Sequence, residues 1–177
     1  MHEGIIFAGF GGQGVILSGK LLSIAAMIEG KHVSHIPSYG AEMRGGTANC
    51  SVMVSDQMIA SPIIYNPSIC VILNQPSLLK FEPRLKKGGL LIYNSSLIEI
   101  KPSRNDIKIV AIRANDLAAE VGSARVANMV AIGQLVKLKP ELAKLESVIK
   151  ALEKAVSSRN KELNVINEKA LRKGYEA

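Results

Sequence analysis

Short apolar runs alternate along the chain with longer apolar or amphipathic stretches, and glycine- or proline-bearing turns separate them. The first run, Gly4-Ile5-Ile6-Phe7-Ala8, has the length and composition of a buried strand and stops at a cluster of glycines. Val15 to Ile28 follows, apolar on nearly every side and interrupted only by Ser18, Gly19, Lys20 and Ser23. A helix that is hydrophobic all round is a buried one, so this stretch predicts a helix lying between a sheet and a further layer, ended by Gly30. Lys31 to Ile36 predicts a second, parallel strand, which completes a strand–helix–strand unit of about thirty residues.

Thr47 to Ser55 favours extended structure, Asp56-Gln57 a turn, and Met58 to Ser61 a returning hairpin partner. Ile69 to Leu73 is a continuous apolar run of the kind found in buried parallel strands. Asn74-Gln75-Pro76 opens a helix with proline near its first turn, and Lys86-Lys87-Gly88-Gly89 closes it with cations and a glycine cap. Leu90 to Tyr93 and Ile107 to Ile112 are further strands. Asn115 or Asp116 is expected to cap a short helix reaching Gly122.

Val126 to Leu138 predicts a second mostly buried helix, on which Asn128 is the unusual residue; its amide is expected to bond backbone or, alternatively, to face a site. Beyond Pro140 the texture changes. Leu142, Leu145, Val148, Ile149, Leu152 and Val156 form one stripe with Lys and Glu opposite, and Asn160 to Lys173 repeats it through Leu163, Ile166, Ala170 and Leu171. Residues 139–177 therefore read as an amphipathic helical tail packed on the domain or on a partner. The whole pattern is that of an α/β fold: a mostly parallel sheet flanked by helices, with a β-hairpin addition and C-terminal helices.

At 177 residues and 47% hydrophobic, the chain buries one substantial core and is short for two domains, so 1–177 is expected to be a single domain. Met1-His2-Glu3 lacks the basic segment of a signal peptide, and no stretch approaches the roughly 20 apolar residues of a membrane span. A cytoplasmic protein is expected. The net charge of +7 lies wholly beyond residue 80, because Lys20, Lys31, Arg44 and Lys80 balance Glu3, Glu29, Glu42 and Asp56. Mixed with carboxylates in helical patterns, and with no aromatic stacking platform, that excess argues for a solvated face and against nucleic-acid binding.

Chemistry concentrates at two loops. Gly9-Phe10-Gly11-Gly12-Gln13-Gly14 stands between the first strand and the first helix, where backbone N–H groups and a helix N-terminus aim at an anion. The second, Pro37-Ser38-Tyr39-Gly40-Ala41-Glu42-Met43-Arg44-Gly45-Gly46, carries Glu42, Arg44 and a phenol beside the glycine turn. Familiar nucleotide sites fit poorly. The second strand ends in Ser34, His35 and Ile36, without the carboxylate that holds an adenosine ribose. Gly14, Gly19 and Lys20 match a P-loop spacing, yet Leu21 follows where magnesium needs Ser or Thr. Cys50, Cys70, His2, His32 and His35 do not form a zinc site, and two thiols cannot hold an iron–sulfur cluster. There is no G-x-S-x-G elbow and no H-E-x-x-H.

Taken together, Gly9-Phe10-Gly11-Gly12-Gln13-Gly14 and Ser38-Tyr39-Gly40-Ala41-Glu42-Met43-Arg44-Gly45-Gly46 resemble the gamma subunit of 2-oxoacid:ferredoxin oxidoreductases, with its G-x-G-G-Q-G and S-Y-G-x-E-x-R-G-G pattern. The similarity extends over nearly the whole chain, and Asn66-Pro67 and Asn74-Gln75 stand in family-like context. The resemblance implies a Rossmann-like domain inside a complex that converts a 2-oxoacid and coenzyme A to acyl-CoA, CO2 and reduced ferredoxin. It implies thiamine diphosphate, Mg2+ and 4Fe–4S clusters held by alpha, beta and ferredoxin-like (delta) subunits, and no cofactor bound by this chain alone. Carried onto this sequence, Gly9, Gly11, Gly12, Gln13 and Gly14 are the anion-facing turn, and Ser38, Tyr39, Glu42, Arg44, Gly45 and Gly46 line the same edge, close to coenzyme A. The short stand-alone form favours 2-oxoglutarate as substrate. A free-standing nucleotide-dependent oxidoreductase and a non-catalytic scaffold domain are the alternatives.

Overall fold

The computed structural model describes residues 1–40, 46–156 and 163–177. The six strands among them are β1 (His2–Phe10), β2 (His32–Tyr39), β3 (Thr47–Ser55), β4 (Ile69–Ile72), β5 (Leu90–Asn94) and β6 (Lys108–Ile112). They form one sheet of order β2-β3-β1-β4-β5-β6. β1, β4, β5 and β6 run parallel, whereas β3 is antiparallel to both β1 and β2. The α/β class with a mostly parallel half and a hairpin addition is therefore present.

The hairpin is built differently from its sequence expectation. β2 does not pair with β1; it pairs with β3, from His32 opposite Ser55 to Tyr39 opposite Ala48. β3 inserts between them. Composition explains the order, since Ala48, Cys50, Val52, Met53 and Val54 bury β3 along most of its length, while β2 carries His32, Ser34, His35, Ser38 and the ladder-breaking Pro37. Such a strand belongs at an edge. Met58 to Ser61, expected to return as a strand, has no regular structure, and the hairpin partner of β3 lies upstream instead.

Two layers of helices cover one face. α1 (Val15–Ile28) and α4 (Ala127–Leu138) are the inner layer. α5 (Leu145–Ala155) packs outside α1, and α6 (Leu163–Glu176) packs outside α4. The all-round hydrophobicity of α1 thus matches its place between sheet and α5. The amphipathic tail lies on the domain, with Val148, Ala151, Leu152, Ala170 and Leu171 buried. α5 starts five residues beyond Pro140 because Leu142 and Ala143 are buried in the preceding turn. That turn is held by Glu29 Oε1 accepting from the Lys144 N–H at 2.6 Å and by Lys31 Nζ donating to the Leu142 carbonyl at 3.1 Å.

The opposite face is covered by α2 (Gln75–Phe81), whose Leu78 and Phe81 join Ile6, Ala8, Cys70, Ile72 and Leu91 in a second core. Asn74 caps α2, accepting from the Ser77 N–H at 2.9 Å. The helix closes at Phe81 rather than near Lys86, since Pro83 cannot supply a helical N–H and the chain tightens into a 3-10 turn over Glu82–Arg84. α3 (Ala114–Glu120) also differs at its start: Asn94 Oδ1, from the end of β5, accepts the Ala114 N–H at 3.1 Å, so neither Asn115 nor Asp116 is the cap. Among the described residues no helix is long and apolar enough to cross a membrane.

α4 and α6 touch backbone to backbone. A Cβ on Gly174 would run into the Val130 carbonyl, and one on Gly133 into the Leu171 carbonyl. Backbone cannot swing aside as a side chain does, so Gly174→Ala is expected to cost about 1–3 kcal/mol by overpacking. Thermal unfolding should register it as a fall in Tm of several degrees; a variant melting with the parent protein would show that the two helices are not in contact there.

Candidate functional site

β1 delivers the glycine turn to the carboxyl edge of the sheet. Gly12 and Gly14 have φ of 94° and 75°, in the left-handed region where a side chain is strained. Gly14 also has no room, because a Cβ there would stand 2.9 Å from Cγ of Asn128. The Asn128 carboxamide, buried on α4, donates to the Gly14 carbonyl at 3.3 Å. It bonds backbone, as expected, and that backbone is the turn itself.

Gln13 points inward rather than toward solvent. Its Oε1 accepts from the Phe10 N–H at 2.6 Å and its Nε2 donates to the Leu73 carbonyl at 3.2 Å. The last direct rung between β1 and β4 is Leu73 N–H to the Ala8 carbonyl, 2.8 Å. In a parallel ladder the next would join Phe10 N–H to the Leu73 carbonyl. The Gln13 carboxamide occupies that place, bonding both groups while holding the two strand ends apart. Gly9 leaves space for it, since a Cβ there would meet Oε1 at 2.6 Å.

The second loop begins at the same edge. The Gly11 N–H donates to the Gly46 carbonyl at 2.8 Å, and the Gly40 N–H to the Thr47 carbonyl at 2.9 Å. Ser38 lies opposite Asn49, which lies opposite Ala8, so β2, β3 and β1 bring Ser38 and exposed Tyr39 into line with the glycine turn. This rim consists of the carboxyl ends of β1 and β2 and the amino end of β3. Gly9, Gly11, Gly12, Gln13, Gly14, Ser38, Tyr39 and Gly46 are thus gathered there. Glu42, Arg44 and Gly45 lie outside the described residues.

On the other side of the turn a crevice of about 230 Å³ opens between Gly12 and Gln13, Leu73 beyond β4, Asn94 at the end of β5, and Asn115 and Arg125. β1 leaves the edge toward α1 on one face and β4 leaves toward α2 on the other, so the crevice lies where connections diverge, the preferred ligand position in open α/β sheets. A larger, open depression of about 820 Å³ lies at the opposite end of β1, beside Met1 and Met58. Its Asp56 is engaged by the N-terminal amine at 2.6 Å, and it borders neither loop. The sequence marks none of Asn94, Asn115 and Arg125 as a site residue, Asn115 reading there only as a candidate helix cap. They lie on separate elements, and Asn94 and Asn115 carry no motif.

Residues 4–177 match the Pyruvate ferredoxin/flavodoxin oxidoreductase family. The chain belongs to that family. It is 35% identical over 179 residues to the 2-oxoglutarate synthase subunit KorC of Methanocaldococcus jannaschii, covering 99% of this chain and 94% of the relative. It is 38% identical over 131 residues to the ketoisovalerate oxidoreductase subunit VorA of Methanothermobacter marburgensis, which takes in 74% of this chain but only 27% of that relative. The crystal structure of the keto/oxoacid ferredoxin oxidoreductase gamma subunit from Geobacter sulfurreducens superposes with a TM-score of 0.84 at 32% identity, covering 98% of this chain and 96% of that one. The family resemblance carried by the two loops is borne out, and so is the α/β fold.

Among the described residues no three His, Cys, Asp or Glu side chains cluster as a metal site. Cys50 lies in the core under α1 and Cys70 in the core under α2, on opposite faces of the sheet. Burial pushes each thiol up to about 12. Metal ligation and disulfide exchange need the thiolate, so both are inert in the folded chain. At pH 8 neither should react with a thiol-specific chromogenic reagent until denaturant is added; release of one equivalent from the native protein would contradict their burial.

The Gln13 bridge has its own signature. Gln13→Glu keeps an acceptor for Phe10 but, when ionised, sets a carboxylate against the Leu73 carbonyl. Its Tm should lie below the parent's at pH 7 and the gap should narrow toward pH 4, as the carboxyl regains a proton to donate. A gap that does not change with pH would mean that the Leu73 contact is unimportant.

Proposed function

We propose that this chain is the gamma subunit of a thiamine-dependent 2-oxoacid:ferredoxin oxidoreductase, which converts a 2-oxoacid and coenzyme A to acyl-CoA, CO2 and reduced ferredoxin. The observation that carries the reading is the rim itself: two family-specific loops, far apart in sequence, joined by the Gly11–Gly46 hydrogen bond at one edge of the sheet. The chain acts beside the active centre and holds neither thiamine diphosphate with its Mg2+ nor 4Fe–4S clusters. The separated, protonated thiols of Cys50 and Cys70 do not suit cluster ligation, and those groups fall to the alpha, beta and ferredoxin-like subunits. Ferredoxin is the external electron acceptor and the complex is cytoplasmic.

Residues 1–177 act in this reading as one gamma-type domain. The rim residues Gly9, Gly11, Gly12, Gly14, Ser38, Tyr39 and Gly46 border coenzyme A, with Glu42, Arg44 and Gly45 completing the loop. Gln13 serves the same edge by shaping the turn. 2-Oxoglutarate is the proposed substrate, supported by near end-to-end similarity to a KorC subunit of comparable length. Similarity of equal extent to a pyruvate/ketoisovalerate oxidoreductase common gamma subunit makes pyruvate and branched 2-oxoacids the comparisons to run.

Two measurements test the reading. The chain purified from its own cells should carry thiamine-binding subunits with it, and the reconstituted complex should lose coenzyme A-dependent, 2-oxoglutarate-driven ferredoxin reduction when the chain is omitted. Recovery of the chain alone, with undiminished activity in the remainder, would refute it. Arg44→Lys removes the planar fork that pairs with a carboxylate or phosphate. It should weaken assembly or raise the apparent KM for coenzyme A, and a complex unchanged in both would remove Arg44 from the role.

A further inference from the structure

We propose that the groove at the amino end of β1 is a docking surface for a neighbouring subunit of the complex. Its occupant is a segment apolar at the centre and acidic at one flank. This rests on the reading that the chain works inside a complex, and it concerns the end of the sheet opposite the glycine turn.

The apolar centre comes from residues 57–66, which form neither helix nor strand and yet are pinned at several points. Ile64 is buried over Gly4, where a Cβ would stand 3.1 Å from its Cγ2. The Arg84 guanidinium donates to the Ile64 carbonyl at 3.2 Å and to the Tyr65 carbonyl at 3.0 Å. Where the stretch leaves β3, Asp56 accepts from the N-terminal amine at 2.6 Å. So held, it still exposes Met58 by 84%, Ile63 by 57% and Tyr65 by 75%. A single exposed apolar residue is ordinary, but three on one pinned stretch beside a groove have the composition of an interface centre, where Tyr and Met are enriched. A stretch fixed before binding also loses little entropy on binding.

Shape and charge set the kind of partner. The groove consists of two hollows that share His2, Met53 and Ile63: one of about 820 Å³ beside Met1 and Met58, the other of about 270 Å³ beside Tyr65 and Lys86. Both are open, which suits a chain segment laid along the surface, while a flat lipid surface could not enter the concavity. Asp56 is the only carboxylate that lines either hollow, and the N-terminal amine already engages it. Lys86 stands at the far end, followed by Lys87, with Lys108 alongside, its N–H donating to the Gly89 carbonyl at 2.8 Å. All three lysines are exposed, and among the described residues none forms an ion pair. A flank of free cations beside an apolar centre is complementary to carboxylates and repels a basic partner.

The test is binding of the other subunits, purified as the complex depleted of this chain, to the immobilised chain. It compares the parent with Met58→Asp, Tyr65→Asp and Lys86→Glu, and with Val165→Asp as a control on α6, on the other face of the sheet. All four side chains are exposed, so each variant should melt with the parent. Met58→Asp and Tyr65→Asp should each weaken binding about tenfold or more. Lys86→Glu should weaken it about two- to fivefold, a loss that shrinks as salt is raised. Val165→Asp should bind as the parent does. Parental binding in both Met58→Asp and Tyr65→Asp, or an equal loss in Val165→Asp, would overturn the docking surface while leaving the proposed function standing. Tighter binding by Lys86→Glu would overturn the acidic partner. The inference also falls if subunit binding is unchanged while Met58→Asp dissociates a parent dimer in sedimentation equilibrium or abolishes parent binding to phosphatidylglycerol vesicles. A parent chain that binds none of the other subunits would remove the proposed function itself.

Discussion

One carboxamide decides the shape of the functional edge. By standing in for a backbone rung between Phe10 and Leu73, Gln13 satisfies two polar groups that would otherwise be left open, and it does so without letting β1 and β4 close together. The Leu73 carbonyl is the part-buried end of this bridge, so the penalty for losing it falls there, while water reaches the Phe10 N–H. The glycines around Gln13 follow from this placement. Gly9 gives the carboxamide room, and the left-handed backbone at Gly12 and Gly14 lets the chain reverse quickly enough to return Gln13 onto the strand it has just left.

The turn is supported from behind by layers of helix. Asn128 holds the Gly14 carbonyl from α4, and α4 is clamped against α6 where Gly133 and Gly174 let backbones meet. The C-terminal helix, distant in sequence, thus belongs to the same packed stack as the first glycine turn. α5 performs the corresponding service for α1, where Lys20 Nζ donates to the Ala155 carbonyl at 3.0 Å. The other face is thinner, covered by α2, its 3-10 extension and the chain segments that carry Leu85 and Ile98. That asymmetry leaves Phe10 and Ile36 partly exposed near the rim.

Electrostatics adds little to the fold and more to the edge. Some cations of the second half sit in surface pairs, such as Lys173 with Glu120 at 2.8 Å and Arg172 with Glu168 at 2.9 Å, which contribute little in water. This is the solvated, mixed-charge surface expected from helical patterning. Arg125 differs because it borders a crevice and, among the described residues, forms no ion pair.

The sequence by itself determined the class of fold and the two loops that matter. Continuous apolar runs such as Ile69 to Ile72 can only be buried strands at that length, the all-round apolarity of Val15 to Ile28 requires a layer on either side, and glycine is needed where the turn takes positive φ. Periodicity carries no information about which strand lies beside which. The order β2-β3-β1 was set by tertiary competition, in which apolar β3 took the central place and left Pro37 at the edge. The inward turn of Gln13, the pairing of Asn94 with Asn115 and the crevice beside Arg125 arise from residues up to 112 positions apart in the numbering, on elements brought together only by the sheet order. Local preferences name the parts; the contacts that open a binding edge between them exist only once the chain has packed.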